Sequence, residues 1–216
     1  KPVISILSTG NELLSPGEEL SDGKIYDSNS SSIVASVMLL GAIPKYVGIA
    51  KDDMDSVRDK LAEAMDSDLI ISSAGVSKGD YDMVKDVMSE HGDLQFWSVR
   101  MRPAKPLAFG ILNKSSRKTV PLIGLPGNPV SSLVAFEQFC RPAIQKMMGK
   151  TNLKRPIIKA VLKDSIENYL CELTVPGALA FGLGASLADL ENPTKSKLDF
   201  EGFNIIESSY LLPTDI

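Results

Sequence analysis

The N-terminal part of the chain alternates between short apolar runs and longer stretches with helical periodicity. The runs VISILSTG (3–10), KYVGIA (45–50) and DLIISS (68–73) are rich in leucine and β-branched residues, which is typical of buried strands. Each run leads through a polar turn into a stretch whose apolar residues recur every three or four positions. This pattern predicts three strand–helix units and therefore a mostly parallel sheet with helices on both faces.

The helices of these units have clear start and stop signals. DSNSSSIVASVMLLG (27–41) opens with capping side chains and ends at Gly41. DDMDSVRDKLAEAM (52–65) opens with acidic residues, which favour a helix N-terminus, and a third helix is predicted after Asp82. The apolar residues predicted to face the core from the first two helices are Ile33, Val37, Leu40, Val57, Leu61 and Met65.

After the third unit the alternation stops. Three more predicted strands follow without helices between them: LQFWSVRM (94–101), PLAFGIL (106–112) and TVPLIGL (119–125). Some of these strands are therefore expected to be antiparallel. A last helix is predicted over 128–148, with Asn128 as N-cap, Pro129 as its first residue and Gly149 as its stop.

These elements predict an α/β fold class. Residues 1–150 are expected to form a three-layer αβα domain with a mostly parallel sheet. From about residue 151 the chain becomes β-like and is punctuated by glycine and proline, which predicts a small β-rich domain at 151–216. Because a predicted strand begins almost at the first residue, we expect the chain to be a piece of a longer protein.

Composition excludes several classes of function. The net charge of −4 over 216 residues argues against nucleic-acid binding, and no apolar run reaches the about 18–20 residues that cross a bilayer. Cys140 and Cys171 have no CxxC spacing and His91 is the single histidine, so neither a Cys/His zinc site nor a Ser-His-Asp triad is expected. We interpret Phe96 and Trp97 as core residues. A cytoplasmic location is expected.

Polar segments follow the predicted strands at the edge where open α/β sheets bind ligands. They are STGNEL (8–13), AKDD (50–53), SAGVSKGDYD (73–82) and GLPGNPVS (124–131). Gly75 and Gly79 let backbone N–H groups approach an anion, and Ser73 and Ser77 add hydroxyl donors. The positive end of the helix starting at Asn128 points to the same edge. Taken alone, each segment is a weak signal, because a glycine loop after a strand is more often just a turn.

The segment VRMRPAKP (99–106) adds positive charge. Arg100 and Arg102 share one face of a strand, and Lys105 follows the break at Pro103. Such a cluster suits phosphate or another dianion of similar size. The alternative interpretation is a solvated edge strand whose charges deter aggregation.

Three aspartates, Asp52, Asp80 and Asp82, offer oxygen ligands for Mg²⁺, which needs only one or two carboxylates when it binds a phosphorylated substrate. The alternative is that these residues, together with Asp53, only cap the following helices. Neither GxxxxGK[ST] nor a GxGxxG after the first strand is present, so a P-loop or a dinucleotide fold is not supported.

Six segments together resemble one family, the molybdopterin molybdenumtransferases or MoeA proteins, which are similar to the E domain of gephyrin. In the family's order and at about its spacing they are STGNEL (8–13), GKIYDSNS (23–30), KDD (51–53), SSAGVSKGDYD (72–82), MRPAKPLAFG (101–110) and GLPGNPVS (124–131). The resemblance covers roughly residues 3–150.

The resemblance implies a MogA-like central domain. It also implies insertion of molybdate into the dithiolene of adenylylated molybdopterin, with release of AMP in a Mg²⁺-dependent step, by a homodimer. The expected catalytic residues are Glu12, Asp52 and Asp82, and the expected metal ligands are Asp52 and Asp82. The expected ligand-binding residues are Ser73, Gly75, Ser77, Gly79, Arg102, Lys105, Pro126, Gly127, Asn128 and Pro129.

Some features depart from the family pattern and leave alternatives open. Ser98 stands where the family often has lysine, Ala74 replaces the first of two glycines, and Lys78 adds a charge. The family's two N-terminal domains are absent from this chain, and 155–168 looks like the start of its small β-barrel domain. The alternative functions are a MogA-like molybdopterin adenylyltransferase, whose family lacks the pairing of GLPGNPVS with RPAKP, and a gephyrin-like scaffold without catalysis.

Overall fold

A computed structural model describes residues 1–73, 92–101, 103–115, 118–155, 166–167 and 197–198. Its strands are β1 (Val3–Thr9), β2 (Leu13–Leu14), β3 (Ile25–Tyr26), β4 (Ile43–Ala50), β5 (Leu69–Ser73), β6 (Gly92–Ser98), β7 (Pro106–Ser115), β8 (Lys118–Leu125), β9 (Ile166–Glu167) and β10 (Lys197–Leu198). Its helices are α1 (Ser28–Leu40), α2 (Met54–Ala64), α3 (Pro129–Ala135) and α4 (Arg141–Met147), and a π-helical turn (Phe136–Cys140) joins α3 to α4.

Six strands form the central sheet in the order β4-β1-β5-β8-β7-β6. The first four are parallel, whereas β7 is antiparallel to β8 and β6 is antiparallel to β7. Parallel neighbours need crossover connections, and α1 and α2 supply two of them. The predicted mostly parallel α/β fold with antiparallel additions is confirmed. The strand predicted to begin at Lys45 begins two residues earlier, at Ile43.

Two apolar cores lie on opposite faces of the sheet and define three layers. On one face, alternate residues of β1 and β5 pack with α1 and the α3–α4 helix in a core that contains Ile4, Ile71 and Phe136. On the other face, the intervening residues of the same strands pack against α2, as Leu7 and Ile70 do. The period of two along a strand therefore assigns each side chain to one of the two cores.

The local signals in the sequence explain the helix boundaries. Asp27 caps α1 by accepting a hydrogen bond of 3.0 Å from the N–H of Ser30. Gly41 ends this helix in the left-handed conformation, with φ of 87°. Asn128 caps α3 through a 3.1 Å hydrogen bond from the N–H of Ser131. Among the predicted core positions of α1 and α2, four are buried and Leu40 and Met65 are partly buried against the cores.

Two expectations about the fold need correction. The single helix predicted over 128–148 is interrupted by the π-helical turn, which inserts one extra residue into the turn. Trp97 is 37% exposed rather than part of the core, and Phe96 is partly buried. The physical reason is that β6 is the edge strand of the sheet, where apolar side chains have neighbours on one side only.

Some predictions lie outside the described residues or are not tested by them. The helix predicted after Asp82 falls outside the described ranges, as do most of 151–216. In that C-terminal part, β9 and β10 pair in an antiparallel manner. The division into a domain at 1–150 and a β-rich domain at 151–216 therefore stays a prediction. No helix within the described part of the chain is long and apolar enough to cross a membrane.

We expect the protein to lose stability at alkaline pH because of the buried thiol of Cys140. The residue is fully buried in the π-helical turn, and this burial raises the pKa of its thiol well above the ordinary value. In the unfolded chain the thiol loses its proton near a pH of about 8.5, so above that pH the unfolded state binds one proton fewer than the folded state. The free energy of unfolding should then fall by about 1.4 kcal/mol per pH unit from this group alone.

Urea unfolding between pH 8 and pH 10, followed by circular dichroism, measures this effect. Cys140→Ala is the comparison, because it removes the thiol and lowers stability through a cavity at every pH. The unfolding free energy of Cys140→Ala should fall less steeply with pH than that of the unchanged protein. The two slopes should differ by about 1.4 kcal/mol per pH unit, which corresponds to one proton. Equal slopes in the two proteins would show that the Cys140 thiol does not cause the loss of stability.

Candidate functional site

The predicted site segments meet at one edge of the sheet. The parallel strands β1, β4, β5 and β8 all end there, and β7 starts there because it is antiparallel to β8. In order across the sheet, this carboxyl edge carries Asp52 after β4, Glu12 after β1, Ser73 at the end of β5, Pro126 after β8 and Lys105 before β7. The sequence-based expectation of a shared edge is confirmed for these segments.

Charged groups stand near both ends of this edge. Four strand-to-strand steps lie between β4 and β7, and at about 4.8 Å per step this is about 19 Å. Asp52 therefore stands at one end and Lys105 at the other, with polar uncharged side chains of β5 and α3 between them. An elongated ligand with a metal-binding part and a separate anionic part matches this distribution better than a single small ion.

The acidic end is built by two loops that hold each other. The N–H of Asn11 donates to Asp52 Oδ2 at 2.8 Å, and the N–H of Asp52 donates to Asn11 Oδ1 at 3.2 Å. The N–H of Gly10 donates to the carbonyl of Ala50 at 3.1 Å. Each side chain of the Asn11–Asp52 pair thus binds the other residue's backbone, which fixes the Asp52 carboxylate relative to the loop that carries Glu12.

Asp52 and Asp53 have different roles. Asp53 is the N-cap of α2 and accepts a 2.7 Å hydrogen bond from the N–H of Ser56. Asp52 does not cap this helix, so the capping alternative is wrong for Asp52 and correct for Asp53. Because Asn11 engages only Oδ2 of Asp52, the other carboxylate oxygen is left for a ligand or a cation.

Glu12 is exposed, and its carboxylate lies over the backbone of Gly10. A Cβ atom placed on Gly10 would stand 2.5 Å from Oε2 and 2.8 Å from Oε1 of Glu12. Gly10 also has φ of 149°, which side chains disfavour. The glycine therefore makes both the turn and the position of the Glu12 carboxylate possible.

Lys24 brings a cation to the acidic end. Its ammonium group donates to the carbonyl oxygen of Asn11. The chain reaches this position because β3 pairs in parallel with β2, with Leu13 opposite Ile25. Neither Lys24 nor Asn11 was among the predicted site residues, although both stand in quoted segments. Their contact joins residues 13 positions apart, which residue type alone does not reveal.

The middle of the edge is joined by Asn29, in the first turn of α1. Its Nδ2 group donates to Ser73 Oγ at 2.7 Å and to the carbonyl of Gly127 at 2.8 Å. The predicted ligand-binding residues Ser73 and Gly127 are thus brought together. Asn29 itself was interpreted only as part of a capping stretch, and no local signal distinguishes it from its serine neighbours.

Several buried polar atoms at this edge have no hydrogen-bond partner among the described residues. They are Thr9 Oγ1, Asp27 Oδ2, Asn29 Oδ1 and Ser132 Oγ. Thr9 ends β1, Asp27 and Asn29 start α1, and Ser132 lies in the first turn of α3. Unpaired buried polar groups are rare in folded proteins and call for a partner. A polar ligand bound at this edge would be one source of such partners.

The Asp27 carboxylate also affects a neighbouring strand. Burial, and then the negative charge of Asp27, raise the pKa of Tyr46 on β4. The hydroxyl group of Tyr46 therefore keeps its proton to a higher pH than that of an ordinary tyrosine.

The basic end is a tight connection between β6 and β7. The N–H of Val99 donates to the carbonyl of Lys105 at 2.8 Å, and the N–H of Met101 donates to the carbonyl of Val99 at 2.7 Å. Ala104 has φ of 74°, an uncommon value for a residue other than glycine. Backbone strain of this kind persists where the surroundings enforce it. Arg100 and Lys105 are both exposed at this connection.

Part of the predicted site lies outside the described residues: Gly75, Ser77, Gly79, Asp80, Asp82 and Arg102. Within the described ranges, no group of three or more His, Cys, Asp or Glu side chains is placed to hold a metal ion. The donor chemistry of Asp52 still fits Mg²⁺, because a hard cation takes carboxylate oxygens and one or two of them suffice beside substrate phosphates.

Comparisons with known proteins identify the family of this chain. Residues 5–146 match the family described as a probable molybdopterin binding domain. The chain is 40% identical over 173 residues to molybdopterin molybdenumtransferase 2 of Mycobacterium tuberculosis, covering 76% of this chain and 41% of that protein. It is 36% identical over 154 residues to the molybdopterin molybdenumtransferase of Haemophilus influenzae, covering 71% of this chain and 37% of that protein.

A solved structure shows the same fold. The molybdopterin biosynthesis MoeA protein from Pyrococcus horikoshii superimposes with a TM-score of 0.65 at 29% sequence identity, over 77% of this chain and 40% of that chain. The chain therefore spans about two fifths of the length of these relatives.

Proposed function

Since the chain belongs to the family of probable molybdopterin-binding domains, we propose that it acts in molybdenum cofactor biosynthesis as a molybdopterin molybdenumtransferase. The proposed reaction inserts molybdate into adenylylated molybdopterin and releases AMP. One observation carries the proposal: the carboxyl edge holds a fixed carboxylate, Asp52, and a cation, Lys105, on the same side of the sheet, so that a metal-binding and an anion-binding group share one edge. The names of the relatives give the reaction class.

The acidic end is proposed to hold Mg²⁺. Asp52 would be one ligand, and Asp82, which the sequence places after the glycine loop, the second. When bound, the ion neutralises charge on the pyrophosphate that links molybdopterin to AMP. Asn11 holds the Asp52 carboxylate in place through its backbone N–H. Glu12 supplies a further carboxylate on the same loop.

The middle of the edge is proposed to bind the pterin phosphate. Ser73 and Ser77 would donate hydroxyl groups, and Gly75 and Gly79 would donate backbone N–H groups. The loop of Pro126, Gly127, Asn128 and Pro129 would line the same part of the edge, next to Ser73. The unpaired buried polar atoms at this edge support a polar ligand here.

The basic end is proposed to bind molybdate, a tetrahedral dianion. Lys105 and Arg102 would neutralise its charge and donate hydrogen bonds. The protein's contribution is then mainly positioning and electrostatic stabilisation, because the dithiolene sulfurs of the substrate are the groups that bind molybdenum. We further propose a cytoplasmic homodimer, as the resemblance implies.

An adenylate assay tests the proposal against its alternatives. The purified protein is incubated either with adenylylated molybdopterin, Mg²⁺ and molybdate, or with molybdopterin, Mg²⁺ and ATP. We expect AMP from the first mixture and no pyrophosphate from the second. Pyrophosphate from the second mixture would support a MogA-like adenylyltransferase, and no turnover in either mixture would support a scaffold.

Gly10→Ala is expected to reduce both stability and AMP release. Alanine is strained at the φ of Gly10, at a cost of about 1–3 kcal/mol. Its methyl group would also displace the Glu12 carboxylate. Gly17→Ala is the matched control, because Gly17 also has a positive φ, 99°, but its Cβ would meet no atom within 4 Å. The control should lower the thermal midpoint and leave AMP release unchanged. Equal activity of the two variants would contradict a role for Glu12.

A further inference from the structure

Asn29 makes two hydrogen bonds that join distant parts of the chain. Its Nδ2 group contacts Ser73 Oγ at 2.7 Å and the carbonyl of Gly127 at 2.8 Å, 44 and 98 residues away in sequence. The Gly127 carbonyl can only accept, so Nδ2 must face it and the orientation of the amide is determined. With two acceptors, both N–H groups of the side chain are used.

The two partners are both residues of the proposed binding site. Ser73 is the last residue of β5, immediately before the segment 74–82. Gly127 lies between Pro126 and Pro129, in the loop that follows β8. A single side chain, itself held by α1, therefore joins the end of β5 to the loop that follows β8. A displacement of about 1 Å at such a position can cost a reaction roughly 100-fold in rate.

The surroundings of Asn29 indicate that its side chain serves the binding site rather than only the stability of the fold. The residue is only partly buried, and its Oδ1 atom is buried with no hydrogen-bond partner among the described residues. A side chain selected for stability alone would satisfy its buried polar atoms, and departures from that rule concentrate at functional sites. We infer that Asn29 is a positioning residue for Ser73 and for the Gly127 loop of the binding site, an inference that rests on the proposed function.

Two variants test this inference. Asn29→Asp keeps the size of the side chain but places a carboxylate oxygen against the Gly127 carbonyl, and Asn29→Ala removes both donors without adding charge. We expect kcat for AMP release to fall roughly 10- to 100-fold in both variants, with KM within about threefold of the unchanged value. If Asn29 only stabilised the fold, both variants would have a lower thermal midpoint. Their kcat would then not fall selectively while KM stayed unchanged.

Ser36→Ala is the matched control. Ser36 is a partly buried residue of the same helix whose hydroxyl donates to the Ser32 carbonyl at 2.8 Å, away from the carboxyl edge. This variant should keep kcat. If the Asn29 variants keep kcat too, or lose it only through a lower thermal midpoint, the inference is overturned.

Hydrogen exchange separates this inference from the proposed function. If the unchanged protein releases no AMP, the proposed function fails, and amide exchange at Gly127 and Asn128 then decides the positioning role. Faster exchange at these amides in Asn29→Ala than in Ser36→Ala supports it. Equal exchange rates in the two variants overturn it.

Discussion

Asp52→Asn is expected to lower AMP release by roughly 100- to 1,000-fold, the loss that follows removal of one well-placed electrostatic group from an active site. The asparagine keeps the size of the side chain, and its carbonyl oxygen can still accept the 2.8 Å hydrogen bond from the N–H of Asn11. The geometry of the two loops should therefore persist while the charge that attracts Mg²⁺ is lost. Initial rates at several Mg²⁺ concentrations measure the effect.

The neighbouring aspartate provides the control. Asp53→Ala removes the N-cap of α2 and should lower the free energy of unfolding by about 0.5–2 kcal/mol while AMP release stays near normal. Asp52→Asn should show the reverse, with an almost constant thermal midpoint and little activity. Near-normal turnover of Asp52→Asn at low Mg²⁺ would eliminate the proposed metal role of Asp52.

Lys105→Ala is expected to weaken molybdate binding roughly 10- to 100-fold, because a charged hydrogen bond contributes about 1.5–3 kcal/mol. The side chain of Lys105 is exposed just before β7. The substitution keeps the backbone carbonyl of residue 105, which accepts a hydrogen bond from Val99 N–H. The change should therefore act on the anion rather than on the fold. Calorimetric titration with molybdate gives the affinity directly.

Lys150→Ala tests whether the effect of Lys105 is local. Lys150 is also exposed, and it follows α4 at the opposite edge of the sheet, where Met148 approaches Gly41 at the end of α1. Both variants change the net charge equally. If they reduce molybdate affinity by the same factor, the loss reflects overall charge and the proposed role of Lys105 is wrong.

Hydrophobic periodicity was sufficient to predict most of the described fold. Ile33 and Val37 face the core because their spacing matches the turn of a helix, and Gly41 ends that helix because few other residues adopt its φ. The failures have physical causes. Trp97 is exposed because position at the edge of a sheet is decided by tertiary topology, which residue type does not encode.

The candidate site was predictable only where local chemistry marks it. Glu12, Asp52 and Lys105 were proposed as site residues because charged residues follow predicted strand ends, and that role stays a prediction. Asn11 and Asn29 were not, because their roles depend on partners 41 to 98 residues away. The sequence also left Asp52 and Asp53 equivalent as helix caps, and only the hydrogen bonds of the folded chain distinguish them.

The central claim is that this carboxyl edge couples AMP release to molybdenum insertion. The most direct measurement is the amount of molybdenum retained by the pterin for each AMP released when the purified protein turns over adenylylated molybdopterin with Mg²⁺ and molybdate. We expect one molybdenum per AMP, with both products lost together in Asp52→Asn. Release of AMP at the same rate without molybdate, and with no molybdenum in the pterin when molybdate is present, would contradict it.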